Sequence, residues 1–300
     1  MKKQRWNRRK WRDAISGYLF VSPSLIVLGA FFLLPILYAV FLSLHKVELL
    51  GGVSYKFIGL RNFARIADDD RAWIGLRNTV EYAIYVVPIQ TIIAMLMASV
   101  LNSKIKFRNF FRVVYFMPTI TSSAVLTLIF MWLYKSDGLL NDILNFIGMD
   151  SYNWLGDPSV ALKGIMIMNI FSTAPQFMVI YLAALQDIPD TLYEAAELDG
   201  AGTWRRFISI TVPMLKPVTF FVVTMGLIGT FQLFDQAYIL SSGSGGPDNS
   251  TLTLVLLIYQ YAFKNLDMGY ASALAFMLAC AIMVVTLIQR KLFGGEEKLN

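Results

Sequence analysis

The chain has 300 residues, 56% of them hydrophobic and 15% charged, with a mean hydropathy of +0.57 and a formal net charge of +6. That balance excludes an ordinary soluble domain and points to a membrane protein. The basic residues are scattered, with no aromatic-interleaved basic face, which argues against a nucleic-acid partner. One cysteine, Cys280, and one histidine, His45, leave no intrachain disulfide and no Cys/His set for zinc or nucleophilic chemistry.

Residues 1–17 form a basic tail containing Lys2, Lys3, Arg5, Arg8, Arg9, Lys10 and Arg12. The apolar run that follows, Tyr18–Leu44, is longer than a signal-peptide core and lacks a small-residue cleavage pattern, so it reads as a retained anchor. A helix needs about 20 apolar residues to cross a hydrocarbon core of about 30 Å. Five more runs meet that length: Trp73–Leu101, Val113–Tyr134, Val160–Leu185, Val218–Leu240 and Ala271–Ile288, the last being the shortest. Thr251–Phe263 is too short to span, and either lies at the interface or packs on the bundle. Pro35, Pro88, Pro118 and Pro175 fall inside spans and predict kinks, either tolerated or functional. The fold class is an all-α membrane protein with six transmembrane helices. Residues 18–72 hold the first span and an outer loop, 73–289 the core, and 290–300 a tail.

An N-terminus inside the cell places most of the 26 lysines and arginines in cytoplasmic segments, in the tail, Lys104–Arg112, Arg205–Lys216 and Arg290–Lys298. The positive-inside rule therefore sets both termini in the cytoplasm. It sets the polar segment 189–217 there too.

That segment includes YEAAELDGAGTWRRFISITVPMLKP, Tyr193–Pro217. Pro189 ends the preceding span, and Thr191 with Glu194 has the spacing of a capping box. A short helix with Leu192, Ala195 and Ala196 on one face precedes Gly200 and Gly202, which can end it. Thr203 is placed to cap a second helix carrying Trp204, Arg205, Arg206, Phe207, Ile208 and Thr211. Pro213 and Pro217 lead into the next span. The predicted elbow is either an interfacial hairpin resting on lipid or a docked element, and Glu194 either caps its own helix or makes an outside contact.

Polar residues inside spans are expensive and therefore candidates for function. Asn169, Ser172, Thr173 and Gln176 share one helical face beside Pro175. Thr230, Gln232, Asp235 and Gln236 form a second polar stripe, with Phe234 among the aromatic rings available to cover a sugar's C–H faces. These stripes are either substrate contacts or interhelical hydrogen-bond glue. Asp235 and, marginally, Glu81 are the acids that an ion-coupled transporter could use, a competing reading. The outer loop Ser241–Thr251 is rich in Gly and Ser and predicts a flexible connection.

Glu194-Ala195-Ala196, Asp199-Gly200-Ala201, Phe207, Ile210, Pro213 and Pro217 resemble the "EAA" loop of permease subunits in carbohydrate-type binding-protein-dependent ABC importers; Val212 stands where leucine is usual. The likeness runs from about Trp73 to Ile288, and around Tyr193–Trp204 is similar to the F-type permease of maltose systems. The resemblance implies a type I ABC importer permease fold in the bacterial inner membrane and import of a sugar, oligosaccharide or related polyol compound by alternating access. Its implied partners are two ATP-binding subunits, a second homologous permease, an extracytoplasmic solute-binding protein and membrane lipid. In the family the loop sits in a groove of the ATPase. This implies coupling roles for Glu194, Ala195, Ala196, Asp199, Gly200, Ala201, Trp204, Arg205, Arg206 and Phe207. Substrate contacts are implied around Asn169–Gln176 and Thr230–Asp235. The chain has no GxxxxGK[ST] sequence, so ATP and Mg belong to the partner ATPase and this chain needs no cofactor or metal and is no enzyme.

Overall fold

A computed structural model describes residues 8–48, 52–103 and 106–293. Lys2, Lys3, Arg5, Lys104 and Lys298, used above for orientation, lie outside the described residues. The chain divides into two compact units, residues 1–67 with 261–273 and residues 68–260 with 274–300.

The first unit begins with α1 (Arg8–Leu28), a π-helical turn (Gly29–Leu33) and α2 (Leu34–Ser43). Together they give a 31-residue candidate span, Asp13–Ser43, with apolar side chains exposed all round. A helix greasy on every side is stable where lipid replaces water. Pro35, which has no N–H to donate, lies in the first turn of α2, two residues beyond the π turn. The chain then forms an antiparallel hairpin, β1 (His45–Glu48) and β2 (Ser54–Phe57), with His45 opposite Phe57 and Lys46 opposite Lys56. This small sheet is an addition to an otherwise helical chain; alternating aromatic residues at Tyr55 and Phe57 favour a strand. In α3 (Arg61–Ala67), Asn62 donates from its amide to the carbonyls of Ser43 (2.8 Å) and His45 (3.1 Å), fixing the end of the span to the hairpin. Gly269 leaves no room for a Cβ against the His45 carbonyl.

The second unit is built on α4 (Asp70–Asn102), whose start is capped by Asp69 accepting from the Arg71 amide. Its buried stripe carries Ala72, Gly75, Ala83, Ala94 and Ala98, small residues that let helix backbones approach. The expected single span at Val113–Tyr134 is instead two helices, α5 (Arg108–Ile120) and α6 (Ser123–Leu133), bent by 98°. Pro118 removes a donor in the last turn of α5, Thr121 has extended backbone, and the Thr119 and Thr121 hydroxyls donate to nearby carbonyls. Among the described residues, five helices are thus long and apolar enough to cross a membrane, or six if the bent pair counts as one.

After α7 (Leu139–Phe146), α8 (Ala161–Gln186) runs unbroken through Pro175 and packs extensively on α4. The elbow elements α9 (Asp190–Leu198), α10 (Thr203–Arg206) and α11 (Val212–Met214) follow. The fifth span is split into α12 (Lys216–Phe231) and α13 (Asp235–Leu240). Ala94, Ala98, Leu101, Met178, Tyr181 and Val222 belong to one buried cluster at the elbow end of α4, α8 and α12.

The segment Thr251–Phe263 packs on the bundle: α14 (Leu254–Tyr259) has Leu254, Leu256 and Leu257 fully buried, and the Leu254 amide donates to Thr79 Oγ1. The loop expected to be a loose connection is pinned. Asn78 donates to the carbonyls of Asn249 and Leu252, and Gln260 to those of Gly243 and Ser244. The last helix, α15 (Met268–Phe293), has 26 residues and is not the shortest. Hydropathy traced only its apolar part; the helix continues through Gln289, whose amide donates to Phe220 O and accepts from Thr224.

Candidate functional site

The elbow forms as a helix, a glycine turn and a second helix, though its caps differ from expectation. Pro189 occupies the N-cap of α9, so Thr191 lies inside the first turn and no side-chain cap bond forms. Gly202 likewise precedes α10 and makes Thr203 its first residue. Proline and glycine supply the required backbone angles without the predicted hydroxyl caps. Asp190, in the first turn of α9, faces the positive end of the helix dipole.

The turn is a Schellman motif. Gly200 has φ +76°, its N–H donates to Glu197 O (3.0 Å), and the Ala201 N–H reaches back to Ala196 O (2.8 Å). The second arm runs from Thr203 through a π turn (Phe207–Thr211) into α11.

Two side-chain ties fix the angle between the arms: Tyr193 Oη lies 2.9 Å from Thr211 Oγ1, and Arg206 Nη1 donates to Glu197 Oε2 at 2.8 Å. A cleft of about 650 Å³ separates the arms from the end of α4, with Ser99, Asn102, Asp190, Glu194, Glu197 and Arg206 among its walls. Of the expected coupling residues, Glu194, Arg206 and Phe207 line this cleft; Ala195, Asp199 and Arg205 are exposed, and Ala196 and Ala201 half-buried. Trp204 stacks on Phe207 with centroids 5.6 Å apart yet remains 68% exposed. Leu198, which the sequence reading missed, is 90% exposed at the tip. Its position three residues after Ala195, on the same helical face, was the available signal.

Among the intramembrane residues, Ser172 and Thr173 both lie within hydrogen-bond distance of the Asn169 carbonyl (2.9 and 2.8 Å). Thr173 also reaches Gln90 Oε1 at 2.6 Å. Gln90 is buried in α4, and a Cβ on Gly226 of α12 would lie 2.6 Å from its Nε2. Gln90 and Gly226 thus join the first polar stripe to two further spans. Neither was singled out from sequence, although Gln90 is a polar residue within a predicted span.

Thr230 is buried and donates to Leu227 O; Gln232 caps α12, Phe234 packs on Tyr238 and Tyr259, and Asp235 starts α13 exposed. Among the described residues no hydrogen bond joins the 169–176 stripe to the 230–235 group. Gln176, Gln232 and Asp235 stand open at the surface. A cavity of about 390 Å³ between α4, α12 and α15 is walled by apolar residues such as Val87, Leu227, Phe231 and Val285. The described residues therefore present polar side chains without enclosing them.

The described residues thus form membrane-length apolar helices with a tied helical elbow between two of them. Residues 90–293 match the family described as "Binding-protein-dependent transport system inner membrane component", and the chain belongs to that family. It is a multi-pass protein of the inner membrane, a transport subunit and not an enzyme.

It is 37% identical to the lactose transport system permease protein LacF of Rhizobium radiobacter, over 92% of this chain and 93% of that protein. It is 35% identical to the arabinooligosaccharides transport system permease protein AraP of Bacillus subtilis (95% and 92%), and 34% to the trehalose/maltose transport system permease protein MalF of Thermococcus litoralis (95% and 96%). The fold is shared, at TM-score 0.80 and 19% identity over 97% of this chain and 100% of the other, with a chain of a bacterial ABC transporter involved in the import of alginate.

Proposed function

We propose that this chain is the carbohydrate-translocating permease of an ATP-driven importer, with the 189–217 elbow as its coupling element. The observation that carries this reading is the elbow's construction. A rigid bracket, tied by Tyr193–Thr211 and Arg206–Glu197, exposes Leu198 and Trp204 at its end. Large apolar groups held out on a stiff support are costly in water and suit a concave protein partner. That partner is the ATPase, which carries ATP and Mg on two copies; closure of the pair moves the elbow, and α8 and α12, directly attached to it, move as levers.

The substrate is a hydroxylated, sugar-like solute. Amides at Asn169, Gln176 and Gln232 both donate and accept, matching vicinal hydroxyls; the Thr173 and Thr230 hydroxyls, whose protons are held within the protein, add acceptors, and Phe234 offers a ring face. Asp235 adds an acceptor. A second permease facing the open Gln176, Gln232 and Asp235 completes the cavity, and a solute-binding protein delivers the substrate from outside, with the elbow in the cytoplasm. The names of the relatives, transporters of lactose, trehalose/maltose and arabinooligosaccharides, support the substrate class.

The test is to copurify the assembly, reconstitute it in vesicles and measure ATPase stimulation across a panel of sugars, amino acids and inorganic ions, each presented with the binding protein. Stimulation by a neutral oligosaccharide is expected. Stimulation confined to amino acids or inorganic ions would overturn the substrate assignment.

A further inference from the structure

The first unit carries an aromatic cluster that the transport reading does not use. On the last turns of α2, Tyr38 and Phe41 lie three residues apart on one helical face, and His45, the first residue of β1, follows just beyond. Phe41 stacks on His45 with centroids 4.0 Å apart. The hairpin supplies the other half: Tyr55 packs edge-on against Phe41 (5.5 Å), Phe57 against His45 (5.3 Å), and the Tyr38 and Tyr55 hydroxyls meet at 3.0 Å.

These rings are not core. Tyr38, Phe41 and Tyr55 are 41–47% exposed and Phe57 is 67% exposed. The opposite face of the hairpin is charged, because the register pairs Lys46 with Lys56, and Lys46 is bonded to Glu48 at 2.8 Å. The hairpin is therefore amphipathic across its thickness, rings on one face and lysines on the other.

Its place along the chain says what covers the rings. They continue the exposed apolar surface of the span, and the side chains at the other end of that span, Tyr18 and Trp11, are also exposed. From Tyr18 to Tyr38 is 20 residues, about 30 Å of helix at ~1.5 Å per residue, which equals the thickness of a hydrocarbon core. Aromatic rings with polar edges concentrate at the two levels where such a core meets the headgroups.

We propose that the β1–β2 hairpin lies in the headgroup layer, aromatic face toward the acyl chains and lysine face toward water. There it fixes the depth of the first span, with Tyr18 marking the opposite boundary. Lys46 and Lys56 suit lipid phosphates, and the tie from Asn62 to Ser43 and His45 transmits that depth to α3.

The experiment uses the full chain, assembled with its partners in phosphatidylcholine/phosphatidylglycerol vesicles, on a Cys280→Ser background. Nitroxide labels are placed singly through Phe57→Cys, Tyr55→Cys and Lys56→Cys, and relaxation is measured with oxygen and with a water-soluble nickel chelate. Labels at 57 and 55 are expected to collide several-fold more with oxygen relative to nickel than the label at 56. Nickel-dominated relaxation at all three positions places the hairpin in water and overturns the proposal. Protection of positions 55 and 57 from both reagents means a protein covers the rings and overturns it equally. Two reporters on the aromatic face keep the test valid if one substitution prevents folding. A failed sugar panel leaves this result unaffected, since the hairpin's depth does not rest on the substrate.

Discussion

Gln90 on α4 accepts from Thr173 on α8 at 2.6 Å, and the other end of its amide faces the bare backbone of Gly226 on α12. Three spans meet at one side chain. Interhelical hydrogen bonds in membranes contribute about 0.6 kcal/mol on average and at most about 1.7. Gln90→Leu is therefore expected to lower the thermal stability of the purified assembly only modestly while changing apparent sugar affinity, because Thr173 loses the group that orients it. Unchanged affinity with reduced stability would make the junction purely structural.

Gly226→Val tests the same junction by crowding. The added carbon would fall 2.6 Å from Gln90 Nε2 and 3.5 Å from Val87 Cγ1. Overpacking of this kind costs about 1–3 kcal/mol. A larger loss of stability than for Gln90→Leu is expected, read by melting of the detergent-purified assembly.

The elbow turn depends on one left-handed residue. Gly200→Val places a β-branched side chain at φ +76°, a conformation that costs about 1–2 kcal/mol for an L-residue. Membrane insertion is expected to persist while transport and ATPase association fall. Glu194→Lys, in the cleft, is expected to act similarly through charge. Normal transport by both variants would remove the coupling role.

The ties between the arms are weaker. Tyr193→Phe removes one hydrogen bond, worth about 1 kcal/mol. Arg206→Ala removes an ion pair whose glutamate is mostly exposed, worth at most about 1 kcal/mol. Each single variant should keep most uptake, and the double variant should lose disproportionately more, as measured by initial transport rate.

Asn169→Ala with Gln232→Ala is expected to weaken apparent sugar affinity without loss of assembly, because both side chains are free of interhelical bonds to other spans among the described residues. Unchanged affinity would exclude them as substrate contacts.

Much of this architecture was legible because lipid imposes length and apolarity on every spanning helix, so Tyr18–Leu44, Trp73–Leu101 and Val160–Leu185 could be placed within a few residues. Breaks were less legible. The span holding Pro118 bends by 98°, at Thr121–Ser122 just beyond the proline, while Pro175 sits in an unbroken α8, so a proline alone does not locate a break. The loop Ser241–Thr251 looked loose because its anchors, Asn78 and Gln260, lie far away or on another element. Gly200 was readable from local turn chemistry. Gln90 and Leu198 matter through what surrounds them, which sequence does not list.

The most direct test of coupling is a single cysteine introduced as Leu198→Cys, on the Cys280→Ser background, and treated with a short bifunctional cross-linker in the reconstituted assembly. The account predicts a covalent product with the ATPase subunit, changing in yield between nucleotide-free and ATP-trapped states. A cysteine that yields no such product and is instead quenched by lipid-borne probes would contradict it.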